Sequence, residues 1–360
     1  MIDYDKEKAI NYSLLKEYYH SLPRAKAAWE RMQQPKATTT KPHFLLGTLV
    51  DMYITEPDKI ESSFLVMGSN PPTDSYTALA DEYLRIKYNL EELYPDTEVD
   101  ANTVILTARE NVGFQSGWKP DTVIKNFWDK CGEYILVVDR AKRQGKSLCT
   151  QEVLDRARSF ATQLTTGYFT QEYFSNKYIV FNQVEIFWEM MGIKFKSKLD
   201  RVLIDVDKKE IILVDIKTYG GNFLHNYYEY SYWLQDLLYK APFELLKNNT
   251  GTLFNVDGFN IQINSPNEQL MGYIKSSAYI INRGFVYLTV DTSETTIPTP
   301  FISYRQAMSH MSTINLIRKD NNESIDLDGW WNKSKELWRH LDSDNWGVPV
   351  EVIDNGFISL

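Results

Sequence analysis

The chain has 360 residues, 43% apolar and 14% aromatic, with 39 basic against 48 acidic side chains and a net charge of −9 at pH 7. That length makes one large or two ordinary domains with ample core. The acidic balance excludes a uniformly basic surface that coats nucleic acid, so a polyanionic partner must meet a local patch. Cys131 and Cys149 are too few for a disulfide scaffold, a four-cysteine zinc site or an iron–sulfur cluster held by the chain's own thiolates. Both are expected to be reduced and buried, as in a cytoplasmic protein. Apolar runs such as Tyr134–Val138 fall far short of the roughly 20 residues of a membrane span, and Met1-Ile2-Asp3-Tyr4-Asp5 lacks a signal-peptide start. The expectation is a cytoplasmic protein with no membrane partner.

Apolar spacing of three and four residues predicts helices over Tyr12–Glu17 and Arg24–Gln34, with a break at Pro23, and over His43–Thr55. Residues 69–75 read as a loop, followed by helices over Ala78–Glu92, Pro120–Lys142 and Gln151–Leu164. From Tyr178 the texture becomes period-two alternation, which predicts strands over Tyr178–Trp188, Gly192–Ile204 and Glu210–Lys217. The polar stretch Asp205–Lys209 joins the last two as an antiparallel hairpin. A helix over Phe223–Leu246 and a buried strand over Gly284–Val290 follow. Asp291–Pro300 reads as a connection, Arg318–Asp328 as a charged loop, Trp330–Leu341 as an aromatic helix, and Val348–Leu360 as two short strands around Asn355-Gly356. The expected division is a mainly helical region 1–176 with a core helix around 43–56, a sheet-bearing core 177–292, and a C-terminal region 293–360 packing on it.

The informative stretch is Lys194-Phe-Lys-Ser-Lys-Leu-Asp200, followed by Asp215-Ile216-Lys217. Residues two apart on a strand share a face, so Asp215 and Lys217 point one way while Val214 and Ile216 point the other. By the same alternation Lys194, Lys196, Lys198 and Asp200 form a basic face on which Asp200 can lie beside Asp215. Two facing carboxylates repel unless a cation sits between them, and oxygen-only ligands suit Mg²⁺ or Mn²⁺. A lysine one pleat away can then neutralise charge on a phosphate or orient an attacking water. Asp-x-Lys alone also fits a surface hairpin with ordinary charges. Against that, Asp215 ends the apolar run Ile211–Val214, where an unpartnered charge is costly. Gln235 and Tyr239 share a helix face by their i, i+4 spacing, as do Gly47 and Asp51.

Asp200, then Asp215-x-Lys217-Thr218, then Gln235-x-x-x-Tyr239 resembles the PD-(D/E)xK nuclease superfamily in its RecB-like branch, above all the phage-type RecE exonucleases, the exonuclease VIII group. Ile10–Lys16 is similar to that family's opening segment, Leu45–Pro57 to its Gly-x-x-x-His plus Leu-Glu-Pro helix, Tyr227–Tyr239 to its tyrosine-rich helix and Gly284–Val290 to its next core strand. The resemblance covers residues 10–60 and about 180–292. It implies an α/β fold with a restriction-endonuclease-like core, a small mixed sheet flanked by helices, with helical additions. It further implies that Asp200 and Asp215 bind metal, that the Ile216 carbonyl completes the site, that Lys217 is catalytic, and that Gln235 and Tyr239 support the site and contact DNA. Glu185 stands where related nucleases often keep a further acid. Asp51 stands where the branch usually has a metal-binding histidine, and it is read as a ligand or metal-shell residue.

The expected activity is Mg²⁺-dependent (or Mn²⁺-dependent) hydrolysis of DNA phosphodiester bonds. By resemblance the substrate is double-stranded DNA with a free end, digested 5′ to 3′ for phage recombination or repair, with a single-strand annealing partner; an acidic chain doing this would have to concentrate its basic groups around the site, as in a ring of subunits through which DNA is threaded. Lys194, Lys196, Lys198 and Thr218, with Gln235 and Tyr239, are the candidate DNA contacts. An endonuclease of the same fold and a catalytically silent DNA-binding or assembly module are the other readings, the latter favoured by Asp51. Gly145-Lys146-Ser147 is a turn, because Arg140 stands where a phosphate loop needs a second glycine. Trp330, Trp331 and Trp338 recur at helical spacing, which points to core packing. Tyr227, Tyr228, Tyr230 and Tyr232 could line a DNA channel, though some of them must face the sheet.

Overall fold

The computed structural model describes residues 2–33, 42–68, 71–249, 259–293, 296–318, 323–348 and 350–355. In chain order the elements are α1 (Tyr12–His20), α2 (Leu22–Gln33), α3 (Pro42–Thr55), α4 (Ile60–Ser63), β1 (Phe64–Met67), α5 (Asp74–Leu93), α6 (Ala101–Val112), α7 (Pro120–Arg143), β2 (Ser147–Thr150), α8 (Gln151–Thr166), β3 (Tyr178–Met190), β4 (Ile193–Asp205), β5 (Glu210–Tyr219), α9 (Phe223–Glu229), α10 (Tyr232–Asn249), β6 (Asn260–Ile263), α11 (Leu270–Lys275), β7 (Ile280–Asp291), β8 (Thr299–Ser303), β9 (Thr313–Arg318), β10 (Glu323–Asp328), α12 (Trp330–Ser343) and α13 (Val350–Asn355). The chain divides into two compact units, one of residues 1–35, 50–56 and 158–360, the other of residues 36–49 and 57–157. The units cut across the expected thirds, since α1 and α2 belong with the sheet.

The smaller unit is helical. Leu79, Tyr83, Ile105, Val123, Phe127 and Cys131 from α5, α6 and α7 form its core, beside a parallel pair of β1 and β2. The unforeseen α6 obeys ordinary signals: Asp100 caps it by accepting from the N–H groups of Asn102 and Thr103, and Gly113 ends it at φ 65°. Cys131 and Cys149 are free and buried.

The larger unit is mixed α/β, a six-stranded sheet in the order β6-β3-β4-β5-β7-β8 with helices flanking it. β5 and β7 are parallel and the other neighbours antiparallel. The β3–β4 hairpin turns through Met191 and Gly192, both with positive φ (51° and 77°), which matches the twist of the strands it joins. In the β4–β5 turn Asp205 Oδ1 accepts from Lys208 N at 2.9 Å and Lys209 takes φ 57°. The parallel β5–β7 pair needs a long crossover, and α9, α10, β6 and α11 lie within it. Ile10, Leu14 and Leu15 around α1, Leu234, Leu237 and Leu238 of α10, and Trp330 and Leu337 of α12 all join the sheet's core. Trp330 therefore packs, as its spacing predicted, and its indole N–H donates to Ala307 O at 2.8 Å.

Several expectations need correction. The break expected at Pro23 is present but falls two residues earlier, at the extended Ser21, and Pro23 itself lies in the first turn of α2, where its missing N–H leaves no bond unmade. The helix over Phe223–Leu246 is two, because Ser231 at φ 56° interrupts it. The supposed connection 291–300 runs into β8, an edge strand, where Pro300 costs no ladder bond that matters. The supposed charged loop is a β9–β10 hairpin in register from Thr313↔Asp328 to Arg318↔Glu323. The two strands expected over Val348–Leu360 are, over Val350–Asn355, the helix α13, and residues 349 and 356–360 lie outside the described residues. No helix is long and apolar enough to cross a membrane among the described residues.

Candidate active site

The site forms where two strands part. β4 and β5 pair from Asp205↔Glu210 to Arg201↔Val214, where their ladder ends. Beyond that point β5 runs beside β7, with Asp215 opposite Tyr287 and Lys217 opposite Thr289. The first half of β4 instead meets the N-terminal segment: Ile10 N donates to Lys194 O at 2.9 Å, and Lys196 N donates to Ile10 O at 2.8 Å. Divergence leaves backbone groups in need of partners. The Ile216 N–H finds one in a side chain, donating to Asp200 Oδ2 at 2.7 Å.

A second irregularity sits at the same level. On β4 the core-facing residues are Ile193, Phe195 and Leu199, then Val202 and Ile204; on β3 they are Phe181, then Val184, Ile186 and Trp188. Both strands change phase by one residue, and the register, Asn182↔Arg201 and Val184↔Leu199, is kept because the two changes match. Gln183 at φ 48° marks the change on β3. A non-glycine residue held there stores roughly 1–3 kcal/mol. Its amide donates to Asp51 Oδ2 at 2.8 Å and to Thr55 Oγ1 at 3.0 Å, which ties the last turns of α3 to the fork.

Asp215 is 1% exposed, and both of its oxygens are engaged: Gln235 Nε2 of α10 donates to Oδ1 at 2.8 Å, and Lys217 Nζ lies 2.5 Å from Oδ2. The Lys217 ammonium also sits 5.1 Å from the centroid of the Tyr232 ring. Burial pushes the Asp200 carboxyl well above the usual range, and Asp51 and Asp215 push it further, against Lys217 and the Ile216 N–H. Asp51 is raised to about 6, by burial first and then by Asp215, against the Gln183 hydrogen bond, Lys217 and Lys198. Burial opposes the charge on Lys217, yet Asp215 and Asp200 outweigh it and the amine is held above its ordinary value. Asp200 and Asp51 thus hold their protons more tightly than free carboxyls do, because burial and neighbouring carboxylates outweigh Lys217, which opposes both shifts, and Lys198, which opposes that of Asp51.

Among the described residues no group of three or more His, Cys, Asp and Glu side chains is arranged as a ready-made metal cluster. The donor chemistry nonetheless fits a hard divalent cation, because the carboxyls of Asp200 on β4 and Asp51 on α3 carry raised proton affinities that such an ion would relieve.

The structure brings Asp51, Asp200, Asp215, Lys217 and Gln235 together. Tyr239 is buried close by, its hydroxyl raised by burial and then by Tyr4, Asp215 and Asp200. Glu185 is drawn elsewhere, paired with Lys198 at 3.5 Å and accepting from Asn264 Nδ2 at 3.0 Å. Lys196 cannot serve as a phosphate contact where it stands: it is 1% exposed, and its ammonium donates to the carbonyls of Tyr4 at 2.7 Å and Glu7 at 2.9 Å. Lys194 is more open and pairs with Glu7 at 3.6 Å. Thr218 alternates with Lys217 on β5 and so faces away from it. Gln183 was not foreseen, and Tyr232, expected only as a possible lining of a DNA channel, stands against the Lys217 ammonium. The period-two pattern around Gln183 carries no sign of the phase change that aims it.

No family model matches the chain, and no curated protein matches it. A solved structure that is similar is a crystal structure of a "putative exonuclease" from Eubacterium rectale, at 13% identity, covering 85% of this chain and 88% of that one with a TM-score of 0.25. A likeness that loose carries no argument about fold or activity.

Proposed function

We propose that this chain is a DNA nuclease that hydrolyses phosphodiester bonds with a divalent cation, Mg²⁺ or Mn²⁺, held by Asp200 and Asp215 with the Ile216 carbonyl and with Asp51 at its margin. The observation that supports this reading is the fork, at which Asp200 of β4 and Asp215 and Lys217 of β5 gather with more negative charge than one lysine balances. The cation, when bound, supplies Lewis-acid polarisation of the phosphate and a more acidic water. The chain's own groups do the rest. Gln235 fixes the rotamer of Asp215 through its amide hydrogen bond. Lys217, with 19% of its side chain exposed, presents an ammonium to a phosphate oxygen and offsets the charge that builds up there.

By the resemblance to RecE-type exonucleases, the substrate is double-stranded DNA with a free end, resected 5′ to 3′ to leave a single strand for an annealing partner during phage recombination, in the host cytoplasm. A ring of identical subunits would let an acidic chain gather its basic groups around threaded DNA. Asp51, in the place of the branch's histidine, favours a second reading, a silent DNA-binding or assembly module. One digestion separates these. Linear and covalently closed duplex DNA are incubated with the protein in Mg²⁺ or Mn²⁺, with and without a chelator. Loss of linear DNA alone, stopped by chelation, is expected. Nicking or cutting of the closed form would make it an endonuclease, and DNA binding without cleavage in either metal would leave the silent module.

A further inference from the structure

A cavity of about 450 Å³ lies in the larger unit between α9 and the β8 edge, walled by Phe223, Tyr227, Tyr228, Tyr287 and Phe301. Arg305 and His310 also line it, and no Asp or Glu does so among the described residues. Among the described lining residues Arg305 carries the one fixed charge, set against Asp236 behind the Tyr227 wall, and with the aromatic walls it suits a flat aromatic ligand that carries an anion.

The cavity begins one ring from the candidate active site. Tyr232, which bears the Lys217 ammonium on its face, stacks on Phe223 (6.1 Å, 22°) and on Tyr287 (6.0 Å, 30°). Both partners are cavity walls. The walls are also held in place: the Tyr287 hydroxyl donates to Tyr232 O at 2.8 Å, and the Tyr227 hydroxyl donates to Asp236 Oδ2 at 2.8 Å and lies 3.1 Å from Ser303 Oγ. At the mouth Tyr304 is 68% exposed and Leu224 48% exposed, so apolar surface there lacks cover.

We propose that this cavity receives an unpaired nucleobase of the DNA strand whose phosphate lies at Lys217, the base stacking on the aromatic walls and Arg305 meeting an adjoining phosphate. The choice of ligand rests on the nuclease reading. Stacking on aromatic side chains suits every base, so the cavity selects unpaired ends without reading sequence.

The test uses single-stranded oligonucleotides with 2-aminopurine at or next to the end, mixed with the full chain in chelator so that no cleavage intervenes. Wild-type protein should quench the 2-aminopurine. Phe301→Ala and Tyr228→Ala should restore its emission and weaken binding roughly tenfold. Tyr304→Ala, at an exposed position that folding does not need, should weaken quenching to a smaller degree. No quenching by the wild type, or quenching and affinity unchanged in all three variants, overturns the proposal. A wild type that degrades linear DNA in Mg²⁺ but never quenches leaves the nuclease reading standing and the cavity without its ligand. Full cleavage by Lys217→Ala alongside normal quenching does the reverse.

Discussion

Lys196 and Lys217 stand on adjacent strands of one sheet, both largely withdrawn from water, and their surroundings give them opposite roles. Lys196 donates to two backbone carbonyls of the N-terminal segment, and burial pulls its pKa down against the pull of Asp5, Glu7 and Asp3. Lys217 faces Asp215 and Asp200, and their charge overcomes burial and raises it. Lys240 on α10 sides with Lys196: it donates to the carbonyls of Arg283 and Arg305, pairs with Glu244 at 3.7 Å, and is lowered by burial. A buried lysine whose donors are met by carbonyls holds chain segments together. One set among carboxylates that outnumber it marks a place where chemistry can occur.

The largest expected effect breaks or keeps this contrast outright. Lys217→Ala should lower DNA cleavage about a thousandfold, measured as nucleotide release from linear duplex, while Lys196→Met leaves the rate per folded molecule unchanged. Equal losses in the two would remove the distinction. Next is a pH effect on stability from Asp236, which burial raises to about 7 against hydrogen bonds from Ser303 and Tyr227 and the charges of Arg305 and Lys240. An acid whose folded pKa is raised binds its proton more tightly in the fold than in the unfolded chain, so its contribution is whole below the unfolded pKa near 3.8 and is lost as pH rises to about 7. Denaturant melts of the wild type should therefore show ~2–4 kcal/mol less stability at the upper end of that window from this group, and Asp236→Asn should flatten that part of the profile.

Lys196→Met itself should cost about 1–3 kcal/mol in the same melts, because it leaves the Tyr4 and Glu7 carbonyls buried without donors. Gln183→Gly sharpens the picture on the acidic side. Glycine accepts the positive φ without strain but removes the donor to Asp51, so stability should hold within about 1 kcal/mol while cleavage falls roughly tenfold or more. The smallest effect is that of Lys194→Ala, whose pair with Glu7 is half exposed: under about 0.5 kcal/mol of stability, read from the same melts.

Much of this was legible from residue order, and the reasons it was not entirely so are physical. Period-two alternation located β3, β4 and β5, the polar stretch after Asp205 located their hairpin, and i, i+4 spacing put Gln235 and Tyr239 on one face of α10. The same alternation put Asp200 beside Asp215, where the structure has it, but missed the break in the strand that precedes it. It assumes an unbroken pleat, and the phase changes at Gln183 and after Leu199 are invisible because each half alternates correctly by itself. Lys196 was read as a surface cation because its partners, Tyr4 and Glu7, lie 192 and 189 residues away in sequence. β8 was hidden by Pro298 and Pro300, which an edge strand tolerates. α13 was read as a strand because Val350, Val352 and Ile353 are β-branched, a local preference that a C-terminal helical turn overrides here.

The most direct measurement is the titration of Mn²⁺ into metal-free protein, with free ion followed by electron paramagnetic resonance. Binding of the ion by the wild type is expected, lost in Asp200→Asn and in Asp215→Asn and retained in Lys196→Met. Mn²⁺ that stays free in the presence of the wild type, or that binds Asp215→Asn as tightly, would contradict the assignment of the fork as the catalytic centre.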